Sequence, residues 1–207
     1  MLTYEQQLDA DWELALREGS MYFDGDNAVH KTLRRLADRL NEIGVDYAVA
    51  GGMCLYRHGF RRFTQDVDVL VTRESLEKIH SELEGRGYVK PFAASKNLRD
   101  AETGVQIDFI ISGDYPGEGK PGPIAFPVPK TASVEIDGVR YLDLIPLIEL
   151  KLSSGQASHR VGDLQDVQNL ILARSLPREL AEQLHPSLRE SYFQKWGDAQ
   201  RAAKDKT

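Results

Sequence analysis

The sequence predicts an α+β (or α/β) fold, a small mixed β-sheet with flanking helices and a helical segment behind it. Three observations carry this. Short apolar runs of strand length, at 45–50, 66–71 and 105–111, are separated by glycines and helical patterns. Val29, Leu33, Leu36, Leu40 and Ile43 recur at spacings of three and four, as on one face of a helix. From Asp143 onward the pattern is helical only.

Taken in order, Leu8, Trp12, Leu14 and Leu16 give a first helix an imperfect apolar face, with a break expected at Gly19-Ser20. Asp26 can cap the second helix and Gly44 can stop it. The strand at 45–50 runs into Gly51-Gly52, with a helical turn at 53–59 and a second strand at 66–71. A helix at 74–84 ends at Gly85 and Gly87, and strands follow at 88–90, 97–100 and 105–111. Segment 112–123 is too rich in Gly and Pro for regular structure and reads as a mobile loop, either a lid over substrate or a plain connector. Asp137-Gly138 between two β-prone runs is a hairpin signal. Asp143 can cap a helix reaching to 153, with Pro146 in its first turn; helices at 161–174 and after Pro186 complete the chain. This divides the chain into an N-terminal helical extension (1–25), a core (26–141) and a C-terminal helical segment (142–207).

Composition narrows the class. With 207 residues, 41% hydrophobic and 28% charged, the chain has the balance of a soluble globular protein. No stretch approaches the ~20 apolar residues that cross a bilayer, so no membrane association is expected. The N-terminus has no apolar core of a signal peptide. The single Cys54 excludes an intramolecular disulfide and a cysteine-rich zinc site, and the expected location is cytoplasmic. His30, His58, His80, His159 and His185 have no metal-site spacing, and no serine sits in a Gly-x-Ser-x-Gly context. A net charge of −6 argues against a broad nucleic-acid-coating surface but leaves room for a local basic patch.

The chemistry concentrates in Asp66-Val67-Asp68. Residues two apart on a strand share a face, so two carboxylates stand roughly 6–7 Å apart and repel unless a cation lies between them. Magnesium suits such a pair, because it takes carboxylate oxygens together with substrate phosphates. Asp108 lies in another apolar strand; if the two strands are neighbours, three carboxylates converge as two-metal phosphoryl transfer requires. Gly51-Gly52, between a strand and a helix, can offer backbone N–H groups to a phosphate. Each feature has a plain reading as well: solvated carboxylates, and a simple turn.

In combination they resemble something specific. The stretch Ala48-Val-Ala-Gly-Gly-Met-Cys-Leu-Tyr-Arg-His-Gly-Phe-Arg-Arg-Phe-Thr-Gln-Asp-Val-Asp-Val-Leu70 resembles the signature of the DNA polymerase β-like nucleotidyltransferases. The spelling Arg62-x-Thr64-x-Asp66-x-Asp68 is most similar to minimal bacterial members, including AbiEii-type toxins. Lys151 on one helix, followed by Arg160, Asp163 and Asp166 on the next, is similar to the AbiEii-like pattern. The core resemblance spans 45–111, about a third of the chain.

It implies Asp66, Asp68 and Asp108 as catalytic metal ligands for Mg²⁺ (or Mn²⁺). It implies Gly51, Gly52, Arg62, Thr64, Lys151, Asp163 and Asp166 around a nucleoside triphosphate, ATP being the first choice. The reaction would transfer a nucleoside monophosphate to a hydroxyl on RNA such as tRNA, on a protein or on a small molecule, with an antitoxin as a partner on the toxin reading. Gly52 departs from the family, where serine is common and its hydroxyl touches the terminal phosphates. From the residues alone, Lys151 reads as a solvated helix lysine, Asp163 as a helix cap, and Arg57, Arg61 and Arg62 as a solvated or phosphate-binding turn. Rival functions are an inactive nucleotide-binding or regulatory module of the same fold, a glycosyltransferase using Asp-x-Asp, and a purely structural protein.

Overall fold

In the computed structural model, which describes residues 2–157 and 160–205, three helices come first: α1 (Tyr4–Ala10), α2 (Trp12–Asp24) and α3 (Ala28–Glu42). His159 lies outside the described residues. The break expected at Gly19-Ser20 falls at Asp11 instead. The Asp11 side chain accepts the Leu14 N–H and caps α2, whereas Gly19 sits inside that helix at a tolerable cost of about 1 kcal/mol. The cap of α3 is also displaced by one residue, from Asp26 to Asn27. Buried Asn27 accepts the His30 N–H, while Asp26 is exposed beside Arg34. Gly44, at φ +64°, follows the end of α3 as expected.

The remaining elements are β1 (Tyr47–Val49), α4 (Gly51–Arg57), β2 (Asp66–Val71), α5 (Arg73–Leu83), β3 (Tyr88–Val89), β4 (Leu98–Asp100) and β5 (Gln106–Ile111). After the irregular segment 112–123 come β6 (Ser133–Ile136), β7 (Val139–Leu142), α6 (Leu144–Ser154), α7 (Val161–Arg174) and α8 (Arg189–Lys204). The helix expected at 53–59 starts at Gly51, so the glycine pair is its first turn and not a loop before it. Asp137 and Gly138 both take positive φ, 53° and 77°, as a two-residue type I′ hairpin turn demands.

The seven strands form one mixed sheet in the order β3-β4-β5-β2-β1-β7-β6. β2 lies at its centre, antiparallel to β1 and parallel to β5. The β2–β5 register pairs Val67 with Ile107, Val69 with Phe109 and Val71 with Ile111, and all six are buried. The alternate positions pair Asp66 with Gln106 and Asp68 with Asp108 on the opposite face. Apolar alternation in two neighbouring strands thus fixes the register and brings the carboxylates side by side. Val29, Leu33, Leu36 and Leu40 of α3 are buried as their spacing predicts; Ile43 is half-buried.

Polar struts join the N-terminal helices to this core. Buried Glu18 accepts from the Tyr4 hydroxyl and from the Ala28 N–H, both at 2.9 Å, and so holds the start of α3. Asp100 at the end of β4 is 2% exposed and accepts from Thr32, from Arg35 at 2.6 Å and from two backbone N–H groups. No helix among the described residues is long and apolar enough to cross a membrane. Asp100→Ala strips four donors of their acceptor, and stability is expected to drop by about 3 kcal/mol in denaturant titration. Asp100 is not part of the cleft described next, so ligand binding there should be unaffected.

Candidate active site

Around the mouth of β2 the sheet and helices leave a cleft of about 1140 Å³. Its floor is the carboxylate group: one oxygen each from Asp66, Asp68 and Asp108 lies within 4.8 Å of the others. Neutral donors fix the two outer ones. The Thr64 hydroxyl donates to Asp66 Oδ1 at 2.5 Å. Asp108 Oδ1 accepts from Gln106 Nε2 at 2.8 Å and from Asn97 Nδ2, while Asn97 Oδ1 accepts the Phe109 N–H. One oxygen of each outer carboxylate is thereby oriented and the other is left for a ligand.

Asp68 carries the electrostatic tension. Burial first, and then repulsion from Asp66 and Asp108, pushes its carboxyl up to about 7. Burial also raises Asp108, helped by Asp66 and opposed by the hydrogen bonds from Gln106 and Asn97. Three converging oxygen donors, with like charge raising Asp68 and Asp108, fit a hard divalent cation, which would relieve the repulsion.

The glycine pair borders this floor for steric reasons. Gly51 has φ +55°, and a Cβ there would lie 1.7 Å from Asp68 Oδ2. A Cβ on Gly52 would lie 2.8 Å from both Cβ and Oγ1 of Thr64. The absence of serine at 52 therefore has a local reason, because Thr64 fills the space that such a side chain would need and brings a hydroxyl of its own. The first turn of α4 has no side-chain cap, which leaves backbone N–H groups at its N-terminus.

Beside this floor lies an ion cluster. Lys151, on α6, donates to Asp163 Oδ1 and Asp166 Oδ2 of α7, both at 2.7 Å. Arg62 grips Asp166 with two parallel bonds, Nε to Oδ1 at 2.9 Å and Nη2 to Oδ2 at 3.1 Å. Burial works against ionisation of Asp163, but Lys151 beside it outweighs that and its carboxyl lies below the ordinary range. Lys151 is thus a buried, doubly paired lysine and not a solvated one. Asp163 does not cap α7, since Arg160 occupies the cap position; it points instead to Lys151. In the arginine turn, Arg57 pairs with Asp137 at 3.0 Å and Arg61 lies over the Tyr56 ring.

Of the residues expected at a nucleotide site, Gly51, Gly52, Arg62, Thr64, Asp66, Asp68, Asp108, Lys151 and Asp163 line this one cleft, and Asp166, bonded to Lys151, lines a neighbouring one. Sequence reasoning missed Gln106 and Asn97. Gln106 was reachable by the same two-residue spacing that paired Asp66 with Asp68. Asn97 was not, because its approach to Asp108 depends on the pairing of β4 with β5.

Searches by sequence find no matching family model and no matching curated protein. Solved structures do match. ANT(2″)-Ia in complex with adenylyl-2″-tobramycin is similar over 78% of this chain and 97% of that chain, with 14% identity and a TM-score of 0.53. The solution structure of the same antibiotic-resistance factor covers 84% and 96%, at 14% identity and a TM-score of 0.52. The fold is therefore one shared with ANT(2″)-Ia.

Two expectations follow from the geometry. A carboxyl raised to about 7 holds its proton below that pH, so a divalent ion must displace it there. Mn²⁺ affinity, followed by calorimetry from pH ~5.5 to ~8.5, should be level above pH ~7 and fall roughly tenfold per unit below it. Gly51→Ala should leave a folded protein by circular dichroism yet abolish Mn²⁺ binding, because the new methyl displaces the Asp68 carboxylate.

Proposed function

We propose that this protein is a metal-dependent nucleotidyltransferase, which moves a nucleoside monophosphate from a nucleoside triphosphate to an acceptor hydroxyl. The observation that carries the reading is the convergence of Asp66, Asp68 and Asp108 directly against the first turn of α4. The three carboxylates would hold Mg²⁺ or Mn²⁺. When bound, the metal supplies Lewis-acid activation of the acceptor oxygen and neutralises charge on the leaving pyrophosphate.

The chain's own groups divide the remaining work. The N-terminus of α4 at Gly51-Gly52 receives the outer phosphates through backbone N–H groups and the helix dipole. Lys151 has spent two of its three N–H donors on α7 and keeps one for phosphate. Thr64 orients Asp66, while Gln106 and Asn97 orient Asp108. Asp108 takes the proton of the acceptor hydroxyl as its oxygen bonds to the α-phosphorus; the bond to the β-phosphate oxygen breaks and pyrophosphate leaves.

A cleft of about 1140 Å³ exceeds the ~300–1,000 Å³ usual for one small ligand and has room for both reactants. The net charge of −6 disfavours a long nucleic-acid acceptor, and the adenylylated aminoglycoside in ANT(2″)-Ia supports a small polyhydroxylated one. The AbiEii-type spelling favours a second reading, a toxin that modifies tRNA or protein and is held in check by an antitoxin. Its motif residues Arg62, Lys151, Asp163 and Asp166 form one connected cluster.

The test is calorimetry with ATP, GTP, CTP and UTP, with and without Mg²⁺, on the wild-type chain and the Asp66→Ala/Asp68→Ala variant. Metal-dependent binding that the variant loses is expected, with pyrophosphate release once an acceptor is supplied. Asp108→Asn is expected to bind nucleotide but to lower transfer by about 10²-fold or more. Wild-type protein that stays folded and binds no triphosphate would end the reading.

A further inference from the structure

The roles above leave the cleft beside α7 without a task. Beyond Arg62, Arg160 and Asp163, which line both, the catalytic cleft adjoins a second cleft of about 700 Å³. Its other walls include Phe60, Gln165 and Asn169. Half-buried Phe60 offers an aromatic surface. Gln165 and Asn169 stand one turn apart on α7, joined by a bond from Gln165 Nε2 to Asn169 Oδ1 at 3.3 Å. That bond leaves Gln165 Oε1 as an acceptor and Asn169 Nδ2 as a donor, adjacent and open to a ligand. Arg160, which lines both clefts, makes a loose pair with Asp163 at 3.8 Å and is half exposed.

An aromatic face, a paired donor and acceptor, and a neighbouring guanidinium suit a flat heterocycle attached to a phosphorylated sugar. The reaction geometry leads to the same place. In-line displacement sets pyrophosphate and acceptor on opposite sides of the α-phosphorus. The glycine turn of α4 takes the first side and Asp108 the second. The nucleoside must therefore leave sideways, either beneath segment 113–119 with Tyr115 or past Arg160. Segment 113–119 leaves β5 beyond Ile111 and lies against the end of α6, with Gly117 beside Ser154, whereas the paired amide edge of Gln165 and Asn169 stands past Arg160.

Resting on the nucleotidyl-transfer reading, we propose that the second cleft holds the base of the incoming triphosphate. Phe60 stacks on its face, Gln165 and Asn169 read its edge, and Arg160 spans the ribose and α-phosphate between the two clefts.

Affinities of the full chain for ATP, GTP, CTP, UTP and inorganic tripolyphosphate, all with Mg²⁺, decide it. Phe60→Ala should weaken the preferred triphosphate about tenfold or more and leave tripolyphosphate unchanged. Phe60→Leu, which keeps the apolar packing, should lose the same stacking. Gln165→Ala/Asn169→Ala should flatten discrimination among the four bases, and Tyr115→Ala should change nothing. The proposal is overturned if the Phe60 variants bind the triphosphate as wild type does, or if Tyr115→Ala is the change that weakens it. Equal weakening of triphosphate and tripolyphosphate by the Phe60 variants would also overturn it. If wild-type protein binds tripolyphosphate no less tightly than any nucleotide, the base site alone is wrong. If it binds neither, the nucleotidyl-transfer reading fails and the base site falls with it.

Discussion

The parallel pairing of β2 with β5 governs this molecule. It sets Asp68 beside Asp108, with Asp66 one pleat away, and so concentrates like charge where burial makes charge expensive. The arrangement is held from behind by apolar burial. Val67, Val69, Ile107 and Phe109 are at most 1% exposed, and a one-residue slip of either strand would bring its buried apolar side chains to the polar face. Burying each such side chain is worth about 1.5–3 kcal/mol, so the pair of strands can sustain the repulsion on their other face.

The rest of the cleft is arranged around that strain. Neutral donors, a hydroxyl and two amides, hold the outer carboxylates without cancelling their charge. Lys151 and Arg62 line the same cleft but are paired with Asp163 and Asp166, and Lys151 still eases the charge on Asp68. If either lysine or arginine pointed at the triad instead, it would occupy the place that the donor set leaves for a metal. The pairing of these cations with α7 carboxylates is what leaves the three floor carboxylates unneutralised, as the proposed cation site needs.

Much of this could be read from the residues because strand periodicity is local. The alternation in 66–71 and 105–111 gave both the strands and the face their aspartates share, and the α3 stripe gave the helix against the core. What escaped depended on contacts remote in sequence or on close competition between neighbours. Asn27 outcompeted Asp26 as a cap because its side chain is buried, and Asp11 ended α1 where the glycine at 19 merely weakened a helix. The fate of Lys151 was invisible for another reason. Its α6 turn is ordinary, and only the packing of α7 alongside presents two carboxylates to its amine. Likewise the spacing of Gly52 from Asp66 says nothing of Thr64 filling the space above the glycine.

The grip of Arg62 on Asp166 joins the turn before β2 to a helix more than a hundred positions later. A polypeptide emerging from the ribosome therefore makes its aspartate-bearing strands long before the groups that neutralise Arg62 and Lys151 exist. Until α7 is synthesised, those two cations have no buried counterions, and the wall of the cleft cannot close. Completion of the cleft is thus deferred to the last third of translation, and a product truncated ahead of α7 would lack one of its walls.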